Sequence, residues 1–160
     1  MKLEYLLTNV DFLEYQLYTS SKSKLHQKKR FRSRLIIPII YFLFGLYLSN
    51  KNDDKLTLFL FAVVSILWFV FYPKYSKWKY KKHFKKHIEE NYKNRINKSV
   101  EIIFDDEFIK AKDYTSESKI NLSELKELIE TKSHFFLKLQ TDLSLIIPKH
   151  SIDNQEKFVK

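Results

Sequence analysis

Cysteine is absent from this 160-residue sequence, and glycine and proline are scarce, with one and three residues respectively. The lack of cysteine excludes disulfide bonds, thiolate metal sites and cysteine nucleophiles. The scarcity of glycine and proline, without any low-complexity tract, argues against a disordered or repetitive chain. The sequence also lacks a glycine-rich phosphate loop, zincin spacing and any grouping of serine, histidine and aspartate. We therefore expect no catalytic activity and no cofactor.

Two small groups of titratable side chains have simple interpretations. His83 and His87, with Glu90 one turn further on, could face a metal ion together. The lysines that surround them favour ordinary surface histidines instead. The acidic run at residues 105–107 lacks the spacing of a calcium loop and is better explained as a tight turn. The sequence therefore predicts no metal site.

Charged residues are missing from residues 35–48 and 56–72, which a short polar loop separates. At about 1.5 Å per residue, these runs form roughly 21 and 26 Å of helix, against a hydrocarbon core of about 30 Å. The alternative is a buried helical hairpin in a soluble core, but such a helix keeps a polar stripe. In the second run, only the hydroxyl side chains of Thr57 and Ser65 could contribute to such a polar stripe. Basic and aromatic residues, which favour membrane interfaces, flank both runs. We therefore predict a transmembrane hairpin with spans at 35–49 and 56–72.

Basic residues are concentrated on both sides of this hairpin. Residues 20–34 carry seven Lys/Arg and no acid, and residues 73–99 carry ten Lys/Arg and two acids. Because basic residues near span ends stay on the cytoplasmic side, both termini are predicted to be cytoplasmic in a multi-pass cell-membrane protein. Residues 1–20 carry three acids and no apolar stretch typical of a signal peptide. We expect the first span to remain as an anchor.

The position of this positive charge indicates the partner. Charge beside the spans matches an anionic leaflet, whereas nucleic-acid binding requires a basic face on a folded module. We therefore predict anionic lipid headgroups as partners, and no nucleic acid. Purely topogenic charge, which orients the chain without recognising a lipid, remains an open alternative. The residues predicted to contact headgroups are Lys28, Lys29, Arg30, Arg32, Arg34, Lys74, Lys77, Lys81, Lys82, Lys85 and Lys86.

Two helices are predicted outside the spans. Residues 1–34 form a short strand at 2–7 and then a helix that begins at Thr8 or Asn9 and continues to Arg34, with a kink near there because of Pro38. Residues 73–98 form a basic helix that follows Pro73 and ends near Asn94.

After residue 99 the spacing of apolar residues changes from 3.6 to 2, which is typical of strands. Residues 99–160 are thus predicted as a β-rich domain whose last element is a short helix opened by Asp153 and Glu156. The predicted strands lie at 100–104, 108–113, 119–122, 125–131, 135–139 and 143–147. A helix at 125–131 is the alternative to a strand there.

This domain is too small to bury a large core by itself. The hairpin returns the chain to the side on which it started, so the strand at 2–7 is predicted to pair with an edge of the domain. Val10, Leu13 and Leu17 lie at helical spacing and are predicted to cover an apolar face.

Several short motifs in this order carry a resemblance to a known family. They are Ile103-Phe104-Asp105-Asp106, Lys119-Ile120, Ile129-Glu130-Thr131, residues 135–139 and Ile146-Ile147-Pro148-Lys149. Together with the order of helices, they resemble the YcxB-like family of small bacterial membrane proteins over nearly the whole chain. The resemblance implies an α+β membrane protein in which a cytosolic antiparallel β domain is similar to the bacterial pleckstrin-homology (PH) fold, closed by a short C-terminal helix. It implies no catalytic residues.

Two functions fit these features. In the first, the protein gives self-immunity or resistance to envelope stress, and its hairpin occupies a membrane target of an external toxin. That hypothesis is an analogy with self-immunity proteins of bacteriocin producers in a related PH-like group. In the second, a membrane-tethered PH-like module binds a peptide, a protein or an anionic lipid at the cytosolic face.

Overall fold

A computed structural model describes residues 1–152 and Phe158 of the chain. The helices in this part are α1 (Asn9–Lys22), α2 (Lys24–Asn52) and α3 (Lys55–Asn91). The strands are β1 (Lys2–Leu6), β2 (Ser99–Phe104), β3 (Phe108–Lys112), β4 (Glu117–Asn121), β5 (Leu125–Glu130), β6 (His134–Leu139) and β7 (Ser144–Pro148). The predicted α+β class is confirmed. The helix predicted from Asp153 lies outside the described residues.

The chain divides into two compact units. The first, which we call the β unit, comprises Met1–Gln16 and Phe84–Lys160. The second, the helical unit, comprises Leu17–His83. The N-terminal strand therefore belongs to the same unit as the C-terminal strands.

The strands of the β unit form two antiparallel sheets, with strand orders β1-β2-β3-β4 and β5-β6-β7. Each strand from β2 to β7 overlaps a predicted one, because alternating apolar residues and short polar turns mark them in the sequence. The segment at 125–131, for which a helix was the alternative, is a strand. Fully buried residues from both sheets, such as Ile102, Ile109 and Phe135, form the core.

Strand β1 pairs antiparallel with β2, from Lys2 opposite Ile103 to Leu6 opposite Ser99. The pairing extends beyond the strand, since the amide of Asn97 donates to the carbonyl of Leu7 at 2.8 Å. The alternate residues Leu3, Tyr5 and Leu7 are buried. The prediction that the N-terminal strand pairs with an edge of the domain is confirmed.

The buried face of helix α1 within the β unit differs from the predicted one. Val10 is 59% exposed. Phe12 packs on Tyr92, with ring centroids 5.0 Å apart, and Tyr15 meets Phe136 edge-on at 5.3 Å. The buried face is rotated by one to two residues because the helix also buries Asp11. The prediction that Val10 covers an apolar face is wrong.

Within the helical unit, α2 and α3 are joined by a turn shorter than the predicted loop. Asp53 adopts a left-handed conformation (φ 50°), and its amide donates to the carbonyl of Ser49. The carboxylate of Asp54 accepts hydrogen bonds from the amides of Leu56 at 2.9 Å and Thr57 at 3.2 Å. These bonds satisfy backbone groups at both helix ends.

The helix predicted to run unbroken from Thr8 or Asn9 to Arg34 is interrupted. Ser23 is extended (φ −65°, ψ 116°), and its hydroxyl accepts from the amide of His26, so a new helix starts at Lys24. This is a typical serine N-cap. The prediction of one continuous helix is wrong at this point.

Helix α3 continues through Pro73, so the predicted basic helix is not a separate element. Proline frees the carbonyl four residues earlier, and in α3 that carbonyl belongs to Phe69. The Nε of Arg34 donates to it at 3.1 Å, while the guanidinium lies 4.1 Å from the centroid of the Phe69 ring. A side chain of α2 thus replaces the lost backbone bond, which allows the helix to continue.

Small residues allow α2 and α3 to approach closely. Gly45 and Ser49 are buried on α2, and Ser65 is buried on α3. The hydroxyl of Ser65 lies 3.1 Å from the carbonyl of Pro38 and 2.8 Å from that of Phe61. The pair of helices is therefore fixed by close contact and a shared hydroxyl.

Replacing Gly45 with alanine is expected to destabilise the helix pair by about 1 to 3 kcal/mol, because it overpacks the contact. A Cβ at this position would collide with the Cβ of Phe61 and lie 2.9 Å from its Cγ. Thermal unfolding of the purified chain in a mild detergent measures the loss. Ile40→Ala, at an exposed position of α2, is the control. A G45A protein as stable as the unchanged chain would show that the contact is not tight.

Helices α2 and α3 are long and apolar enough to cross a bilayer. Only 11% and 6% of the residues in their most apolar stretches are buried. A core helix of a soluble protein would be mostly buried, so the soluble hairpin is the weaker interpretation. The exposed apolar surface supports an association with a membrane.

Candidate functional site

A cavity of about 520 Å³ lies between the two sheets of the β unit. This volume is within the range of about 300 to 1,000 Å³ that is usual for small-molecule sites. Side chains on the inner faces of both sheets line its interior, including Tyr5, Ile102, Ala111, Ile120, Leu139 and Leu145. The small side chain of Ala111 stands where a larger residue would fill this space. The interior is therefore apolar and open to a guest of matching size.

The mouth of the cavity combines exposed apolar and basic side chains. Tyr114 and Leu143 line the cavity yet are 69% and 67% exposed, so they lie at its opening. Arg95 and Lys98 line it as well and are exposed. The Nζ of Lys98 lies 4.8 Å from the centroid of the Tyr114 ring, a cation–π contact.

Two acidic side chains line this cavity, the exposed Glu124 and Asp113, and Asp113 is already engaged. Asp113 accepts hydrogen bonds from the amides of Thr115 and Ser116, both at 2.7 Å, and lies 3.6 Å from Arg95. Burial alone would raise the pKa of Asp113, but the hydrogen bonds from Thr115 and Ser116 lower it overall. Among the described residues, Lys98 forms no such ion pair. The charged lining residues are Arg95, Lys98, Lys112, Asp113 and Glu124, three cations against two carboxylates, so the lining carries a net charge of +1.

A buried ionic cluster connects helix α1 to strand β6 in the same unit. The Nε2 of His134 lies 2.7 Å from Asp11 Oδ1, and its Nδ1 lies 3.0 Å from Glu14 Oε2. The hydroxyl of Ser133 also donates to Glu14. Because an ionised carboxylate only accepts hydrogen bonds, both ring nitrogens of His134 must donate. The geometry thus fits a doubly protonated, positively charged imidazole.

The pKa shifts in this cluster agree with that charge state. Burial alone would lower the pKa of His134, but the hydrogen bonds and charges of Asp11 and Glu14 raise it overall. Burial alone would raise the pKa of Asp11, but His134 and the amide and hydroxyl of Thr8 lower it. Each group therefore favours the charged form of its neighbour.

The β unit is expected to be less stable at alkaline pH because of His134. The pKa of His134 is raised in the folded protein. Its contribution to the free energy of unfolding is therefore complete below its unfolded-state pKa of about 6.5, and is lost as the pH rises through its folded-state pKa. The contribution of Asp11, whose folded pKa is lowered, is present above about pH 3.9 and is lost on acidification. The cluster thus stabilises most between about pH 4 and 6.5.

Thermal unfolding of the full chain at pH 6 and pH 9 measures this effect. We expect a lower Tm at pH 9, and a smaller difference between the two pH values in His134→Gln. His150→Gln, which changes an exposed histidine of the same unit, is the control. An H134Q protein with an unchanged pH dependence would contradict the assignment.

The eleven residues predicted to contact headgroups all lie on α2 and α3. Arg30 and Arg34 are instead held inside the helical unit, where Arg30 lies 5.4 Å from the Tyr80 ring and Arg34 bonds to Phe69. Three lysines have partners on their own helix: Lys82 over Trp78, Lys85 near Glu89 and Lys86 near Glu90. The remaining six are exposed: Lys28, Lys29, Arg32, Lys74, Lys77 and Lys81. Contact with lipid headgroups remains a prediction for all of them.

The other small groups singled out in the sequence have local contacts. His87 lies 3.0 Å from the side-chain nitrogen of Asn91. In the part of the chain that the structure describes, no three His, Cys, Asp or Glu side chains could hold a metal ion together. The acidic run forms the turn between β2 and β3, where the amide of Asp105 donates to the carbonyl of Phe108. The predicted tight turn is confirmed.

The sequence did not identify His134, Arg95, Lys98 or Tyr114 as site residues. His134 had one detectable signal, because it is a polar residue directly before the apolar run Phe135–Leu137 of β6. For the residues of the cavity mouth there was none, since isolated surface lysines and tyrosines are common.

Comparison with known proteins agrees with the resemblance found in the sequence. No curated protein and no solved structure matches the chain. The family model of YcxB-like proteins matches residues 104–160. This segment contains β3 to β7 and most of the motifs on which the resemblance was based. The C-terminal part of the chain is thus similar to YcxB-like proteins, which confirms the suspected family over that segment.

Proposed function

We propose that this protein is a membrane-anchored binding module whose β unit takes a small, mostly apolar ligand into the cavity between its sheets. The cavity is the observation that carries the proposal. Its volume of about 520 Å³, its apolar interior and its polar mouth are typical of ligand sites.

The strand arrangement supports a PH-like fold for this module. Four antiparallel strands in sequential order form one sheet, and three more form the next. The helix that would close such a fold lies beyond the described residues, but Phe158 reaches the core and lies 5.4 Å from Phe104 and 5.1 Å from Phe135. The similarity of residues 104–160 to YcxB-like proteins supports the same assignment.

We propose binding without catalysis. Among the described residues, the cavity lining includes no histidine. His134, which has the chemistry of a general base, is 3% exposed and has carboxylate partners on both ring nitrogens. The immunity hypothesis stays a prediction, because nothing in the cavity or the helices favours a toxin over another partner.

Native mass spectrometry of the full chain in lipid nanodiscs tests the proposed function. The unchanged protein is expected to retain a bound small molecule, and Ala111→Phe or Val100→Phe, which fill the cavity, are expected to lose it. Lys110→Phe adds the same side chain to the outer face of β3 and is the matched control. Unfolding curves show whether each variant is folded. A bound mass that survives in folded A111F and V100F proteins would place the ligand elsewhere, and no bound mass in the unchanged protein would overturn the proposal.

We also propose that both termini lie in the cytoplasm, with the turn at Asp53 outside. The basic residues on both sides of the apolar helices support this orientation. An alkaline-phosphatase fusion is expected to be active at Asp53 and silent at Lys160. A fusion that is active at Lys160 and silent at Asp53 would reverse the topology.

A further inference from the structure

We infer that the ligand of the cavity is a fatty acid, whose chain enters between the sheets and whose carboxylate meets Lys98. This inference rests on the proposed function and specifies the chemical class of its ligand. It follows from four features of the cavity: the increase in polarity from the interior to the mouth, the net positive charge of the lining, the aromatic ring of Tyr114 beside Lys98, and the volume.

The polarity of the lining increases from the interior to the mouth. The interior carries Ile102, Ala111 and Ile120, which offer no hydrogen bond from their side chains. The charged lining residues Arg95, Lys98, Lys112 and Glu124 are exposed, which places them at the opening. An apolar guest without a polar end would leave this opening unmatched, whereas an amphiphile fits both regions.

The charge at the mouth selects an anionic head. Asp113 is occupied by its own turn and by Arg95, at 3.6 Å. The other charged lining residues are Lys98, Lys112 and Glu124, two cations against one carboxylate, which leaves a net charge of +1. Lys98 has the ring of Tyr114 as its described partner, at 4.8 Å. A cation–π contact leaves the ammonium free to donate to a carboxylate, so Lys98 can bind the head while Tyr114 covers the first part of the chain.

The size of the cavity favours one chain over two. A volume of about 520 Å³ is in the middle of the range for small ligands, and its walls are two separate sheets, each of hydrogen-bonded strands. A single aliphatic chain is narrow enough to occupy the space that the inner side chains of the two sheets leave free. A diacyl phospholipid needs space for two chains side by side.

The experiment uses the full chain in nanodiscs of zwitterionic phosphatidylcholine, with photoactivatable palmitic acid and the matching long-chain alcohol as probes. Labelled peptides are mapped by mass spectrometry. The acid is expected to label β2, β3 and β7 about tenfold more strongly than the alcohol. Lys98→Gln should remove that preference while leaving alcohol labelling unchanged, and Lys110→Gln, on the outer face of β3, is the matched control. Ala111→Phe should reduce labelling by both probes.

The outcomes separate this inference from the proposed function. Equal labelling by acid and alcohol, or a preference that K98Q leaves intact, would overturn the fatty-acid assignment while the cavity remained a site. Absence of labelling by either probe, with a bound mass still seen in native spectra, would indicate another ligand, such as an apolar peptide segment, and would also overturn it. Absence of both labelling and a bound mass would overturn the proposed function itself.

Discussion

A fragment of residues 100–160 is expected to remain poorly ordered, and joining residues 1–20 through a flexible linker to residues 84–160, which together contain the whole β unit, is expected to restore cooperative unfolding. Strand β1 supplies the buried Leu3 and Tyr5 and pairs with β2 along its whole length. The hydroxyl of Tyr5 also donates to the carbonyl of Ile146 at 2.7 Å, which links β1 to β7 in the other sheet. A chain of about 60 residues buries only about 60% of its surface, so the loss of one strand is severe.

Thermal unfolding, monitored by circular dichroism, compares the two fragments. A matched control carries Leu3→Asp and Tyr5→Asp in the added segment, which keeps its length while preventing burial. We expect this control to behave like the fragment without the segment. If residues 100–160 alone already gave a cooperative melt that the added segment left unchanged, β1 would not be required for the domain.

The second large effect is expected for Asp11→Ala, which should destabilise the β unit by about 3 to 5 kcal/mol. Losses of about this size are usual when one partner of a buried ion pair is removed. Here the substitution leaves the Nε2–H of His134 without its acceptor, while Glu14 remains at Nδ1. Asp11 has a second role, since the amide and hydroxyl of Thr8 both donate to its Oδ2 at 2.7 Å. The substitution therefore also removes a stabilising contact at the start of α1.

Denaturant unfolding of the full chain measures this loss. Glu14→Gln is the matched control, because the Glu14 side chain touches the same histidine but is 43% exposed. We expect a smaller effect for E14Q than for D11A. An equal effect of both variants would indicate that the histidine depends on total negative charge and not on the buried partner.

The strands could be predicted because their signal is local. Alternation of apolar residues in β2, β3 and β6 and short polar turns between them determine both the element type and its approximate ends. The pairing of β1 with β2 was predictable for another reason, since a helical hairpin returns the chain to its starting side. Element boundaries that depend on one cap, such as Ser23, were not predictable from spacing alone.

The candidate site could not be predicted because it depends on contacts between distant parts of the chain. Asp11 and His134 are 123 residues apart, and neither residue carries a motif. The cavity depends on how far apart the two sheets stand, which no spacing in the sequence reports. Arg34 shows the same limitation, because its bond to the carbonyl of Phe69 depends on the contact between two helices.

The pairing of β1 with β2 has a consequence for the order of events during synthesis. The ribosome makes β1 first, but the partner strand follows only after roughly 90 residues, since Leu6 pairs with Ser99. At about 5 to 20 residues per second, β1 must wait on the order of 5 to 20 s with its backbone unpaired. Closing so long a loop costs only slightly more than closing a shorter one, because the entropy grows with the logarithm of length. The nascent chain therefore completes its first sheet late, at a small thermodynamic cost but with a long interval in which another strand can take the place of β2.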